Sequence, residues 1–149
     1  MKLLTLFLLT VPCLAQLPNP KLTPGAIRTT NAVEICADTF RAGPYRHTTA
    51  AMKKQVCRSY GVAHCPQLDV MEIDHLIPLE LGGADEITNL WPEMAEYRSH
   101  GVHFAPGFHV KDQLENELHR RVCRGKMGLP EAQACIAKNW VQCYDRIIR

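Results

Sequence analysis

The chain has 149 residues, of which 46% are hydrophobic and 21% are charged. This composition is typical of an ordinary globular domain and excludes collagen-like, coiled-coil and wholly disordered chains. With 17 Lys and Arg residues against 15 Asp and Glu residues, the formal net charge is only +2, which excludes a protein that coats nucleic acid by overall charge alone.

The N-terminus predicts a signal peptide over residues 1–15. Lys2 precedes an apolar run that ends at Leu9, and the small residues Cys13 and Ala15 stand before the expected cleavage site. The run is shorter than the roughly 20 residues that a membrane-spanning helix needs. We therefore expect a secreted or periplasmic protein whose mature form has no membrane segment.

Cleavage after Ala15 would remove one of the seven cysteines and leave an even number. Six cysteines behind an export signal predict three disulfides, whose connectivity the sequence leaves open. The absence of a Cys-x-x-Cys pair makes cysteine-bound metal the less favoured alternative. The predicted disulfide cysteines are Cys36, Cys57, Cys65, Cys123, Cys135 and Cys143.

Two regions follow the signal peptide. Residues 16–48 are rich in Pro and Gly at their start and have no hydrophobic periodicity, which predicts an extended N-terminal lead-in. Residues 49–149 form the predicted domain. Its first helix runs from Thr49 to Tyr60, with Gly61 as the stop signal, because Met52, Val56 and Tyr60 recur every four residues.

Two strands and two further helices complete the predicted domain. The apolar residues from Val70 to Ile73 predict a strand that enters Asp74, and Asn89-Leu90-Trp91 predicts a return strand. Apolar residues spaced four apart from Val110 to Val122 predict a helix that begins at His109 and ends near Gly125. A final helix is predicted from Pro130, and the longer segment between Asn89 and His109 is left as an insert.

The chemically informative segment is EIDHLIPLELGGADEITNLWPE, residues 72–93. An acid and an imidazole stand together at the end of the predicted strand, before a proline, a double glycine and an asparagine. The positions that form this pattern are Asp74, His75, Pro78, Gly82, Gly83, Asn89 and His109.

In these residues the sequence resembles the HNH endonucleases, whose fold is the ββα-metal finger. The resemblance covers about residues 70–124, and the run HVKDQLENELHRRVCRG from His109 is similar to a subgroup of small exported proteins of this kind. It implies an α+β fold in which an HNH finger is embedded in a small, mostly helical, disulfide-linked domain. Gly82 and Gly83 would serve the turn on either interpretation.

The resemblance also implies a role for each motif residue. His75 would activate water and Asn89 would hold the hairpin loop and orient His75, while Asp74 and His109 would ligate one divalent metal ion. Mg²⁺ or Mn²⁺ suits a carboxylate best, and an imidazole ligand also admits Zn²⁺ or Ni²⁺. His100 and His103, inside the insert, are the alternatives to His109 as the last motif position.

The same chemistry follows from the reaction itself. Hydrolysis of a phosphodiester needs a base for the attacking water and positive charge for the oxygens that become more negative. Histidine is the side chain that is mostly neutral yet basic near pH 7. Backbone phosphates would be met by basic residues of the helix that follows His109, namely Lys111, Arg120, Arg121 and Arg124.

We therefore expect an exported, metal-dependent endonuclease that cuts DNA, and RNA as a further substrate, with low sequence specificity. No obligate protein partner is evident. The alternative from another class is an exported, disulfide-rich binding module that keeps the HNH scaffold without catalysis. Its motivation is the near-neutral charge and the long insert before His109.

Overall fold

The computed structural model describes residues 17–63, 65, 70–99 and 102–149, so the predicted signal peptide lies outside the described residues. The described chain confirms the α+β class, because it combines helices with short two-stranded sheets. The elements are α1 (Ala32–Ile35), α2 (Ala50–Ser59), β1 (Met71–His75), β2 (Leu90–Met94), β3 (Tyr97–Ser99), β4 (Val102–Ala105), α3 (Phe108–Cys123) and α4 (Leu129–Ile148).

Helix α2 begins and ends where the sequence predicts. The Thr49 hydroxyl accepts a hydrogen bond from the Met52 amide at 3.2 Å and so caps the first turn. At the other end Gly61 adopts a φ of +69°, which ends the helix at low conformational cost. The buried face of α2, formed by Val56 and Cys57, packs on one face of the first hairpin.

Strands β1 and β2 form this hairpin in antiparallel register, with Ile73 opposite Pro92 and His75 opposite Leu90. Side chains alternate between the two faces of a strand. Ile73 and Leu90 pack with α2 on one face, whereas Asp74 on the other face contacts α3. The hairpin is therefore enclosed between two helices.

The segment between β2 and α3 contains a second hairpin that the sequence analysis did not predict. Strands β3 and β4 pair antiparallel, with Tyr97 opposite Ala105 and Ser99 opposite Val102. The insert thus accounts for the long spacing between Asn89 and His109. His100 lies outside the described residues, as does the side chain of His103.

The main core lies between α3 and α4. The predicted stripe on α3 is confirmed, since Val110, Leu114, Leu118 and Val122 are all buried. Burial of such a stripe is the main stabilising contribution of an amphipathic helix. The partner face of α4 is formed by Ala132, Ile136, Trp140, Cys143 and Ile147.

Three cysteine pairs lie at disulfide distance and confirm a disulfide-linked domain. Cys36–Cys123 joins α1 to the end of α3, with Cα atoms 5.3 Å apart. Cys57–Cys65 closes the loop after α2, and Cys135–Cys143 joins the two halves of α4. Such pairs persist in oxidising compartments.

The lead-in is more structured than the sequence predicts. Ile27 forms a bridge with Gly83, and the Arg28 amide donates to the Gly82 carbonyl at 2.8 Å. Asn31 caps the short helix α1 by accepting from the Val33 amide at 3.0 Å. Within the described part of the chain, no helix is both long enough and apolar enough to cross a membrane.

Candidate functional site

The site is built around the loop that joins β1 to β2. The Asn89 side chain, which is fully buried, closes this loop. Its amide donates to the carbonyls of Ile77 at 2.9 Å and Ala84 at 2.8 Å, and its oxygen accepts from the Ile77 amide at 3.0 Å. Among the described residues, no hydrogen bond joins the Asn89 side chain to His75, and the Asn89 carbonyl accepts from the amide of Leu76, the residue after His75.

The double glycine is required by close approach as well as by conformation. Gly82 adopts a φ of +75°, which favours glycine. A Cβ on Gly83 would lie 1.9 Å from the Ile77 carbonyl oxygen. No larger residue fits there, so Gly83 sets the shape of the loop that Asn89 then holds.

His75 forms a buried pair with Asp85. The His75 Nε2 atom lies 2.7 Å from Asp85 Oδ1, and the His75 side chain is only 1% exposed. Asp85 also accepts hydrogen bonds from the His47 amide and the Thr48 hydroxyl, in the segment that leads into α2. The other ring nitrogen, Nδ1, is buried and has no hydrogen-bond partner among the described residues.

Burial governs the charge state of His75. It disfavours the imidazolium and lowers the pKa of His75, although the hydrogen bond to Asp85 opposes this shift. The Arg46 guanidinium lowers the pKa of His75 further by charge repulsion. His75 is therefore held neutral near pH 7, in the form that can accept a proton.

Asp74 lies on the opposite face of β1 and is paired with Lys111. The Lys111 ammonium donates to Asp74 Oδ2 at 2.7 Å and to the His75 carbonyl at 2.8 Å. It also contacts Glu115 one turn along α3 and lies 3.6 Å from Glu93 on β2. The Lys111 side chain is 0% exposed, so these oxygens are its surroundings.

The charges of this cluster depend on one another. Burial disfavours the ammonium, but the three carboxylates outweigh it and raise the pKa of Lys111 well above its usual value. Burial also raises the pKa of Glu93 well above its usual value and that of Glu115 to about 8. Asp74 differs, since burial is offset by the adjacent Lys111 ammonium, which lowers its pKa. Asp74 and Lys111 are therefore the charged pair at the centre.

The hydrogen-bond partner of His109 is separate from the oxygens around Lys111. Its side chain is 67% exposed, and Nδ1 lies 2.7 Å from Glu96. That hydrogen bond raises the pKa of His109. The other oxygen of Glu96 accepts from the Val110 amide at 3.0 Å, at the start of α3. The pair thus serves the first turn of the helix, whose free amides favour a carboxylate.

Of the two predicted metal ligands, Asp74 is paired with the Lys111 ammonium, and this arrangement does not fit a metal ion at its carboxylate. His109 is bound to Glu96 through Nδ1, which leaves Nε2 able to take a ligand, so its predicted role stays a prediction. In the described ranges, the one group of three ligand atoms within 4.8 Å of one another is Cys36, His119 and Cys123, which sequence analysis did not select. Such a group could hold a metal ion, but its two sulfurs are joined to each other as a disulfide.

The predicted phosphate contacts divide into two groups. The prediction that Lys111 contacts phosphate is wrong, because its burial among carboxylates removes it from any surface that a nucleic-acid backbone could reach. Arg120 and Arg121 lie on the surface but both pair with Glu117, at 2.5 and 2.7 Å. Arg124 is exposed just after α3.

Sequence analysis missed several charged residues at the site, among them Asp85, Glu115, Glu93 and Arg46. Asp85 had no signal of its own, because a single acid after a double glycine is typical of any turn. Glu115 could have been found from the sequence, since it stands four residues after Lys111 on the predicted helix, and this spacing favours an ion pair. Searching for such pairs would have identified Lys111 as a partner of carboxylates.

Comparisons with protein-family models, with curated proteins and with solved structures find no match to this chain.

Proposed function

We propose that the chain is an exported endonuclease that hydrolyses phosphodiester bonds of DNA, and also of RNA, with low sequence specificity. The observation that carries the proposal is the His75–Asp85 pair at the end of β1. The resemblance to HNH endonucleases supplies the reaction, and the order of β1, β2 and α3 around the motif supports it.

The pair gives His75 the properties of a general base. A carboxylate at Nε2 selects the neutral tautomer whose proton is on Nε2, which leaves the Nδ1 lone pair as the proton acceptor. Nδ1 is buried, so this role requires that water be admitted to it. The lowered pKa keeps this form populated at neutral pH. Asp85 would thus position the base, and the bonds from His47 and Thr48 fix Asp85 in turn.

Positive charge at the site would come from Arg46. This residue is exposed, and its guanidinium lies close enough to affect the pKa of both His75 and Glu72. A guanidinium can bind two phosphate oxygens at once, which makes Arg46 the candidate partner of a phosphate near His75. The resemblance to HNH endonucleases implies one divalent ion, so Mg²⁺, Mn²⁺, Zn²⁺ and Ni²⁺ are each included in the digestion test.

The test is digestion of a supercoiled plasmid by the oxidised mature protein, with each of the four metals and with chelator alone. We expect cleavage by the wild type and at least a 100-fold loss, on the order expected for a missing general base, in His75→Ala. His47→Ala is the matched control, because its imidazole is exposed and Asp85 is bound by its backbone. Wild type and His75→Ala that are equally inert under all conditions would falsify the proposal.

Export is proposed from the sequence of residues 1–15, with the three disulfides as support. Expression of the full chain with N-terminal sequencing of the released protein tests it. The expected first residue is Gln16. A released chain that still begins at Met1 would contradict a cleaved signal peptide.

A second candidate function is an exported binding module without catalysis. The observation that favours it is the burial of His75, whose side chain is 1% exposed in this conformation. Binding of a labelled DNA duplex, followed in parallel with its cleavage, separates the two functions. A saturable complex whose DNA remains intact after prolonged incubation would support the binding module.

A further inference from the structure

We propose that Lys111 is the resident cation of this site, occupying the position that a divalent metal ion would need at Asp74. Measurement of divalent-metal binding to this chain tests the role of Lys111 directly. Its consequence for catalysis, that cleavage needs no added metal, rests on the proposed function.

The surroundings of the ammonium are those of a bound cation. Four oxygens from three elements converge on Lys111 Nζ: Asp74 Oδ2 at 2.7 Å, the His75 carbonyl at 2.8 Å, a Glu115 oxygen in direct contact, and Glu93 Oε2 at 3.6 Å. Carboxylates and a carbonyl are also the ligands that Mg²⁺ and Mn²⁺ take. The side chain is fully buried, so no water-filled gap separates it from them.

Glu93 supplies an independent observation. It is buried on β2 with 1% exposure, and neither of its oxygens accepts a hydrogen bond from the described residues. A buried carboxyl without donors is costly unless it faces positive charge. Among the described side chains, the Lys111 ammonium lies 3.6 Å from Glu93 Oε2, so Glu93 faces the same cation as Asp74.

A divalent ion cannot join this arrangement. An ion bound to Asp74 would lie within a few ångströms of the Lys111 ammonium, and two buried cations at that separation repel each other strongly. Lys111 therefore acts as a positioning residue: it holds Asp74 and the carbonyl of His75, and so fixes the end of β1.

Mn²⁺ binding to the metal-stripped, oxidised protein tests the proposal, measured by electron paramagnetic resonance and calorimetry. We expect the wild type to have no saturable Mn²⁺ site at Asp74. Asp74→Asn should therefore bind Mn²⁺ no differently from the wild type. Lys111→Met should gain one Mn²⁺ per chain, and the gain should disappear in Lys111→Met combined with Asp74→Asn. Lys138→Met, an exposed lysine on α4, is the control and should behave like the wild type.

Two outcomes overturn the inference. One is a wild-type Mn²⁺ site that Asp74→Asn abolishes, and this comparison decides the question even where Lys111→Met fails to fold. The other is a folded Lys111→Met that binds no Mn²⁺, because the ammonium then is not what excludes the ion.

Plasmid cleavage separates this inference from the proposed function. Wild-type cleavage that continues in chelator supports both. Cleavage that appears only with added metal overturns the resident cation and leaves the nuclease in place. A wild type that is inert in every condition removes the nuclease, and the Mn²⁺ measurements still decide the role of Lys111.

Discussion

At the scale of single residues, the two adjacent motif side chains have separate surroundings. Asp74 contacts α3 through Lys111, whereas His75 turns to the other side of β1 and binds Asp85. This follows from strand geometry, because consecutive side chains of a strand lie on opposite faces. The carboxylate that positions the candidate base is therefore Asp85 and not its neighbour in sequence.

The charge of His75 is expected to follow its neighbours Asp85, Asp74 and Arg46. Because the pKa of folded His75 is lowered, the unfolded chain binds more protons as the pH falls below about 6.5, and stability is lost in that range. Asp85→Asn removes a group that raises this pKa, so the His75 titration should move to still lower pH. NMR titration of the ring measures it.

The control for this prediction is Asp145→Asn, an exposed acid on α4, which should leave the His75 titration in place. Should Asp85→Asn instead raise the pKa of His75, the carboxylate would not be stabilising the imidazolium. The same shift should appear in the acid limb of any cleavage activity, which a purely structural role of Asp85 would not move.

Asn89 illustrates how much one buried amide can hold. Asn89→Ala would leave the Ile77 amide and two carbonyls of the loop without their partner. We expect a loss of about 3 kcal/mol in the free energy of unfolding, measured with urea. Asn116→Ala is the matched control, since Asn116 is exposed and donates one bond on the surface of α3. An equal loss in the two variants would contradict the assignment.

At the scale of elements, α4 shows how a cross-link and a helix break depend on each other. Residues eight apart on a straight helix are separated by about 12 Å, too far for a disulfide. The Cα atoms of Cys135 and Cys143 are 5.5 Å apart, because Asn139 between them has non-helical angles of φ −166° and ψ 93°. The Asn139 side chain then accepts from the Gln142 amide at 3.0 Å and restarts the helix.

The three cross-links should differ in their contribution to stability. Cys36–Cys123 spans 87 residues and Cys135–Cys143 spans 8. If restriction of the unfolded chain dominates, replacing both cysteines by serine should cost about 4–5 kcal/mol for the long loop and about 2–3 kcal/mol for the short one. Urea unfolding of the paired variants measures this.

Cys57–Cys65 provides an internal control for loop length, since it also spans 8 residues. Its removal should match that of the short cross-link in α4. A larger loss for either short loop than for the long one would show that contacts in the folded state, and not loop closure, set the order.

At the scale of the whole molecule, the lead-in is part of the domain. Gln133 on α4 joins three segments, because its amide donates to the carbonyls of Thr29 at 2.8 Å and Leu81 at 2.7 Å. Thr23, fully buried, donates to the Leu90 carbonyl at 2.8 Å at the start of β2. The hairpin that carries the candidate site is thus hydrogen-bonded to segments from both ends of the chain.

Removal of the Gln133 hydrogen bonds should destabilise the lead-in and the rest of the domain together. Gln133→Ala leaves two carbonyls without a donor, and we expect a loss of about 2 kcal/mol in unfolding free energy. Hydrogen exchange at the Arg28 and Thr29 amides, both bonded to the Gly82 carbonyl, should accelerate. Gln142→Ala, exposed on the same helix, should change neither quantity. Unchanged exchange in Gln133→Ala would show that the lead-in is held independently.

The amino-acid sequence alone determined the local elements of this protein. Helical periodicity and stop signals located α2, α3 and α4, the motif from Asp74 to Asn89 located the hairpin, and the cysteine count indicated three disulfides. These features depend on spacing within one segment, which a sequence displays directly. The tertiary structure alone decided the second hairpin, the cysteine pairing and the partners of Asp74, His75 and Lys111. Each of these depends on which distant segments meet, and burial of a charge is set by all of its neighbours at once.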